Sequence, residues 1–153
     1  MRAVIQRVTK ASVTVNSKTV ASIKSGLVIL LGIEKSDTPS DAQFLAKRIK
    51  ELRIFNDQKR KMNLCAKDID AQLLVVSQFT LCADLDKGRR PSFDQAASPE
   101  EAEKLYLEFI QYLKETQLKV EQGIFREYMS VHIENDGPVT FILDTKRGRH
   151  SQI

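Results

Sequence analysis

Leu27-Val28-Ile29-Leu30-Leu31 is an unbroken apolar run set off by Ser25-Gly26, and it constrains the fold more than any other stretch of the chain. Side chains alternate between the two faces of a strand, so such a run is consistent with a strand covered on both faces. A second run, Leu73-Leu74-Val75-Val76-Ser77-Gln78-Phe79-Thr80-Leu81, is rich in β-branched residues and predicts a central strand. Before these, Ala3-Val4-Ile5-Gln6-Arg7-Val8 and Ala11-Ser12-Val13-Thr14-Val15 alternate as two strands, Asn16-Ser17-Lys18 reads as a turn, and residues 19–23 continue a β-meander.

Two helices interrupt the strands. Thr38-Pro39-Ser40-Asp41 places a capping hydroxyl before a proline at the first helical position, predicting a helix to about Leu52 that buries Ala42, Leu45, Ile49 and Leu52. Ser98-Pro99-Glu100-Glu101 is a capping-box start, followed by Ala102, Leu105, Tyr106, Phe109, Ile110 and Leu113 at helical spacing. Arg53-Ile54-Phe55 reads as a short strand. Residues 128–134 alternate, Asn135-Asp136-Gly137-Pro138 breaks the pattern, and 139–143 resume it, which predicts a β-hairpin, while 146–153 read as a loose tail. Strands with two helices laid over them give an α+β class with a mainly antiparallel sheet.

The 153 residues, 42% of them hydrophobic, suffice for one core, so residues 1–153 are expected to form a single domain. A formal net charge of +4 suits a phosphate-rich partner but is equally ordinary for an enzyme. The N-terminus lacks the pattern of a signal peptide and no apolar run is long enough to cross a bilayer, so a cytoplasmic protein without membrane attachment is expected.

Familiar catalytic devices are missing. Ser77 lacks the flanking glycines of a nucleophile elbow, and Cys65 and Cys82 read as packing residues with no base beside them. His132 falls on the strand face shared with Tyr128, Ser130 and Glu134, the pattern of a sheet-surface histidine, and His150 lies in the basic tail. Neither metal-ligand spacing nor a phosphate loop is present, so no metal and no cofactor are expected.

Two segments stand out. In Ser77-Gln78-Phe79-Thr80 three polar residues interrupt a buried strand, which an edge or bulge position would explain; Ser77 and Thr80 can share a pocket only if the strand breaks there. In Asn135-Asp136-Gly137-Pro138 a turn-rich composition is ordinary, but Pro138 removes a backbone donor and makes the preceding bond one of the few that can be cis. The basic stretch Lys87-Gly88-Arg89-Arg90-Pro91 reads as a solvated loop or as a grip on phosphate.

Ser77-Gln78-Phe79-Thr80-Leu81 and Asn135-Asp136-Gly137-Pro138-Val139-Thr140 resemble the two signature motifs of the D-aminoacyl-tRNA deacylase family. Met1 to Val8, Arg53-Ile54-Phe55, Lys61-Met62-Asn63-Leu64, the 87–93 stretch and the helix at 102–106 are similar to it as well, so the resemblance spans essentially the whole chain. It implies a β-barrel-like or sandwich domain with two outer helices, forming a homodimer with active sites at the subunit interface. The implied activity is hydrolysis of the ester joining a D-amino acid to the 3′-terminal adenosine of tRNA, extending to glycyl-tRNA(Ala), with no cofactor. Ser77, Gln78, Phe79 and Thr80 would form the catalytic segment, with backbone donors around Phe79 and Thr80 and the ribose 2′-hydroxyl ordering the water. A cis Gly137-Pro138 dipeptide, inserted into the partner's pocket, would exclude L-amino acids, and Phe125 and Met129 would wall the adenosine. Where relatives carry a small Gly-Ala pair after Phe125, this chain has Arg126-Glu127. Two rivals remain: an RNA-binding module using Arg89 and Arg90, and a general esterase dependent on the Ser77 or Thr80 hydroxyl.

Overall fold

The computed structural model describes residues 1–86 and 88–148, the last two by backbone alone. Its spine is β1, Arg2–Val15, a single strand where alternation suggested two. One edge of β1 pairs with β2 (Lys18–Ile23) in its second half and with β3 (Gly26–Gly32) in its first. The join is a bulge between Val8 and Lys10, where β1 carries an extra residue against its partner on the other edge. An extra residue exchanges the faces of a strand. Ala3 and Ile5 accordingly enter one core, whereas Val8, Ala11, Val13 and Val15 enter a second. The turn into β2 uses Asn16 and Ser17 at φ 47° and 62°, the left-handed pair that a tight hairpin requires.

Helix α1 (Pro39–Glu51) starts where the Thr38 cap predicts, its Asp41 carboxylate accepting from the Thr38 amide at 2.9 Å and hydroxyl at 2.7 Å. Ala42, Leu45 and Ile49 are buried, and Leu52 ends the helix as a half-buried cap. After it come β4 (Phe55–Asn56) and β5 (Met62–Leu64), a small separate pair, so the strand expected at 53–55 keeps only its last residue. Strand β6 (Gln72–Ser77) returns to the main sheet, and α2 (Pro99–Lys114) leads from it to β7 (Val120–Gln122). Ser98 caps α2 by accepting the Glu101 amide at 3.3 Å.

Both helices are crossovers. Strand β3 pairs parallel with β6 across α1, and β6 pairs parallel with β7 across α2. The sheet is mainly antiparallel, as expected, through the three pairings of β1, with a parallel part where β6 meets β3 and β7; parallel neighbours cannot be joined by a hairpin and require such a connection. The α+β class holds, with six strands in the main sheet ordered β2-β1-β3-β6-β7 and β8 (Ser130–Asp144) on the free edge of β1. The helices cover one face, over Leu27, Ile29, Leu31, Leu73 and Val75. Val28, Leu74 and Val76 face the second core, closed by the curled half of β1 and by β2. The unbroken apolar runs thus have cover on both faces.

Two further expectations are corrected. The strand at 73–81 stops at Ser77 and turns into a 3-10 helix, Phe79–Cys82. The hairpin at 128–143 does not exist: β8 runs on without reversing, antiparallel to β1 along both halves. Gln6 opposes Thr140 and Val8 opposes Asn135, so residues 136–139 bulge out against Arg7 alone. The Asn-Asp-Gly-Pro composition marks an excursion from one strand, not a turn between two. At the C-terminus, Thr145–Gly148 form a short helix, α3, and the Lys146 ammonium binds the Glu34 carboxylate, so the expected looseness does not begin at 146. Lys87, His150 and the rest of the tail lie outside the described residues. No helix of the described residues is long and apolar enough to cross a membrane.

Candidate functional site

The strand break at Ser77 is built from both sides. The Gln78 amide donates to Leu31 O at 2.8 Å, carrying the chain off the end of β6 onto the end of β3. Gly32 makes this approach possible, because a Cβ there would lie 2.9 Å from Leu81 Cβ and 3.2 Å from Gln78 O. Arg2 then fixes the far end of the turn, donating to Leu81 O at 2.7 Å. A helical turn leaves its first amides without partners inside the turn, here those of Phe79 and Thr80.

This break floors a cavity of about 590 Å³. Ser77, Gln78 and Phe79 line one side, Ala96, Ala97 and Ala102 another, and Phe125, Met129 and Val131 a third. Most of the wall is apolar. Phe125 is backed by Tyr106, ring centroids 5.6 Å apart, and Phe79, 56% exposed, leans on Phe93 at 4.9 Å. Thr80 does not line the cavity. Its hydroxyl is exposed and accepts from Gln78 Nε2 at 2.5 Å, so the break that Ser77 and Thr80 would need to share a pocket occurs, but Thr80 turns away.

The remaining nucleophile candidates, Cys82, Cys65 and His132, do not line the cavity, although Cys65 caps a short 3-10 turn, residues 66–69, with the Asp68 carboxylate beside it. Burial, with Glu34 and Asp37 nearby, pushes the Cys82 thiol up to about 11, so it stays protonated near neutrality. Cys65 is half-buried. His132 is exposed, 3.5 Å from Ser130 Oγ and facing away from the cavity, a sheet-surface histidine as its pattern predicts. Among the described residues no group of three or more His, Cys, Asp or Glu could hold a metal ion. What the cavity offers is an apolar slot floored by the Ser77-Gln78-Phe79 segment at the start of the 3-10 turn.

Gly137 and Pro138 lie elsewhere. Both are exposed, neither lines the cavity of its own chain, and the bond between them is cis. The bulge that carries them is tightly held. Asn135 Nδ2 donates to Arg7 O at 2.8 Å and to Val139 O at 3.1 Å, bridging its two ends. The buried Arg7 donates from Nη1 to Ile54 O at 2.7 Å, while its Nε sits 2.8 Å from Asp136 Oδ2 as a charge contact whose N–H direction misses hydrogen-bond geometry. Gly137, at φ 116°, occupies backbone space closed to other residues, and a Cβ on it would meet Val139 Cγ2 at 2.7 Å.

Several lining residues escaped the sequence reading. Ala96 and Ala97 carry no chemical signal beyond small size ahead of a helix, and Ala102, read from its spacing as part of α2, gave no sign of facing a cavity. Arg126, Glu127 and Tyr128 form the exposed rim, and the departure at 126–127 was the available clue. The Glu127 amide donates to Ile124 O at 3.3 Å, closing a turn whose third residue, Arg126, has φ 65°. A side chain there costs roughly 1 kcal/mol relative to glycine.

The chain is similar to known proteins in sequence and in fold. The family model described as D-Tyr-tRNA(Tyr) deacylase matches residues 4–144. A "D-aminoacyl-tRNA deacylase" of Thermosipho melanesiensis is 55% identical over 148 residues, covering 96% of this chain and 99% of its own. One of Geobacter sulfurreducens is 52% identical over 146 residues, covering 95% and 96%. Of solved structures, a "c-Myc DNA Unwinding Element Binding Protein" superposes with TM-score 0.89 at 41% identity, covering 94% of this chain and 98% of its own. A "probable eukaryotic D-amino acid tRNA deacylase" superposes with TM-score 0.79 over 93% of this chain and 97% of its own, and at 16% identity supports the fold alone.

Proposed function

The chain belongs to the D-Tyr-tRNA(Tyr) deacylase family, and from that premise we propose that it hydrolyses D-aminoacyl-tRNA to free D-amino acid and tRNA. We read residues 1–153 as one deacylase domain acting in the cytoplasm. Water attacks the ester carbonyl, the carbonyl oxygen becomes an oxyanion, and the bond to the ribose 3′-oxygen breaks as the tRNA leaves. The oxyanion sits against the amides of Phe79 and Thr80. Preorganised donors of this kind are worth about 2.7–4 kcal/mol each in well-studied enzymes. Ser77 and Gln78 hydrogen-bond and shape the pocket, Phe125 and Met129 wall the terminal adenosine, and its 2′-hydroxyl orders the attacking water. With no base at the Thr80 hydroxyl, a main-chain mechanism is favoured over a side-chain nucleophile.

Chirality is assigned to the partner subunit. The observation that carries this is the pinned, exposed bulge holding Gly137 and Pro138, which does not line the cavity described above in its own chain. In a homodimer the bulge of one protomer enters the pocket of the other, and its main chain stands beside the substrate α-carbon. Hydrogen or a D-side chain fits there; an L-side chain collides. Glycyl-tRNA(Ala) would pass the same wall. Phe141, 39% exposed, and Ile142, 70% exposed, lie on β8 just beyond the bulge and supply apolar surface for a second copy.

Purified protein should release D-tyrosine from tRNA much faster than L-tyrosine, measured as loss of radiolabelled ester, and equal rates reject the assignment. Pro138→Ala should erode discrimination before it abolishes cleavage; a variant with full discrimination overturns the wall. Thr80→Ala keeps the backbone amide, so loss of all turnover in that variant would favour the hydroxyl esterase instead. A second reading, nucleic-acid binding without turnover, draws on the exposed Arg89 and Arg90 and on the name of the 41% identical structure. Charge reversal at both would abolish the function of a binding module, whereas an esterase keeps its turnover of a minimal D-aminoacyl-adenosine.

A further inference from the structure

We propose that Arg126 and Tyr128 form a nucleotide-holding rim at the mouth of the pocket, which grips a phosphate and stacks a base of the single-stranded tRNA end just before the terminal adenosine. The inference deepens the deacylase reading and rests on it.

Three observations carry it. Both side chains belong to the wall of the cavity and both are exposed, Tyr128 at 94% of its surface, so they border the path by which a polymer entering the pocket must leave it. The Arg126 side chain has no ion-pair or hydrogen-bond partner among the described residues, although Glu127 is its neighbour in sequence. A guanidinium is a planar, permanently charged fork whose geometry matches phosphate. Tyr128 presents a ring that packs against nothing, and an aromatic face stacks any base without reading its sequence. The turn at 124–127, with Arg126 in the left-handed position at φ 65°, sets the backbone that carries Arg126.

The chemistry selects the occupant. A free amino acid or a nucleoside offers no phosphate to Arg126 and no second ring to Tyr128, whereas a single-stranded 3′ end offers both at adjacent positions. Glu127 on the same rim cancels much of the charge, so the grip is one directed contact and not a general basic field.

The test compares D-tyrosyl-adenosine, D-tyrosyl-cytidylyl-adenosine and D-tyrosyl-tRNA with the wild type, Arg126→Gln and Tyr128→Ala. The wild type should gain in kcat/KM from the first substrate to the second. Each variant should shrink that gain roughly five-fold or more, the worth of one stacked or paired contact. Arg126→Gln should also flatten the logarithmic salt dependence on tRNA by about 0.7, the signature of one lost single-strand phosphate contact. Equal gains in wild type and variants overturn the rim. So does a Tyr128→Ala protein that sediments as a smaller species with its length dependence intact, since the ring would then be a subunit contact. Anisotropy with an uncharged CCA trinucleotide and with adenosine reads the rim without turnover. Tighter trinucleotide binding that both variants lose would support the rim even if no ester is cleaved, and would leave the deacylase reading alone to fail.

Discussion

Asn135 carries more of the proposed wall than its ordinary turn-forming reputation suggests. Its amide spans the neck of the bulge, donating to Arg7 O and Val139 O, and among the described residues no other side chain duplicates either bond. Asn135→Ala leaves both carbonyls short of a donor at a cost of about 1–3 kcal/mol. Thermal melts should show that loss, and paired assays should show the ratio of D- to L-tyrosine release falling further than the D-rate itself. A ratio that survives the substitution would mean that Arg7 and Asp136 hold the bulge unaided. Side-chain chemistry at this scale was legible in part. The polarity of Ser77-Gln78-Phe79-Thr80 and the glycine-proline pair flagged both segments, but nothing local indicated that Thr80 points outward or that Arg7, six residues from the N-terminus, meets Asp136.

Among the elements, α2 joins core to site. The buried Tyr106 hydroxyl donates to Val75 O in β6 at 2.9 Å, while its ring backs Phe125. Val75 O also accepts the Gly123 amide at 2.9 Å, so it keeps a partner when the hydroxyl is removed. Tyr106→Phe should therefore cost only about 1 kcal/mol, a shift of roughly 2–4 °C in Tm for a chain of this size. Turnover should change little because the ring behind Phe125 remains. Tyr106→Ala removes that ring and should cost about 3–5 kcal/mol, with KM rising as Phe125 loses its backing; a Tm fall as small as that of Tyr106→Phe would contradict this. Helix starts were legible at once, since caps and helical periodicity are local. The direction of β6 against β3 was not, because a run of apolar residues reads the same whether its neighbour lies parallel or antiparallel.

For the whole molecule, burial of protonated groups predicts an alkaline limit. Cys82 is raised from 9.0 to about 11 by burial, then by Glu34 and Asp37, and burial raises Tyr106 above its ordinary 10.0. Above pH 9 the unfolded chain loses the Cys82 proton while the folded chain keeps it, so unfolding gains and stability falls as pH rises towards 11; Tyr106 adds to the fall above 10. Urea midpoints measured from pH 8 upward should decline from about pH 9, and in Cys82→Ala the onset should move towards 10, the Tyr106 threshold. An unchanged onset in the variant would show that Cys82 is not the first group to respond. By itself the sequence determined the two helices, the doubly covered strands and both distinctive segments, all of which depend on residue type at short spacing. Tertiary structure alone decided that β1 is one strand with its faces exchanged at a bulge, that residues 136–139 leave β8 without reversing it, and that α1 and α2 are parallel crossovers. The physical reason is that the strand pattern records which side chains are buried and not which backbone they hydrogen-bond. Partner, direction and register are settled only when distant segments compete for the same edge.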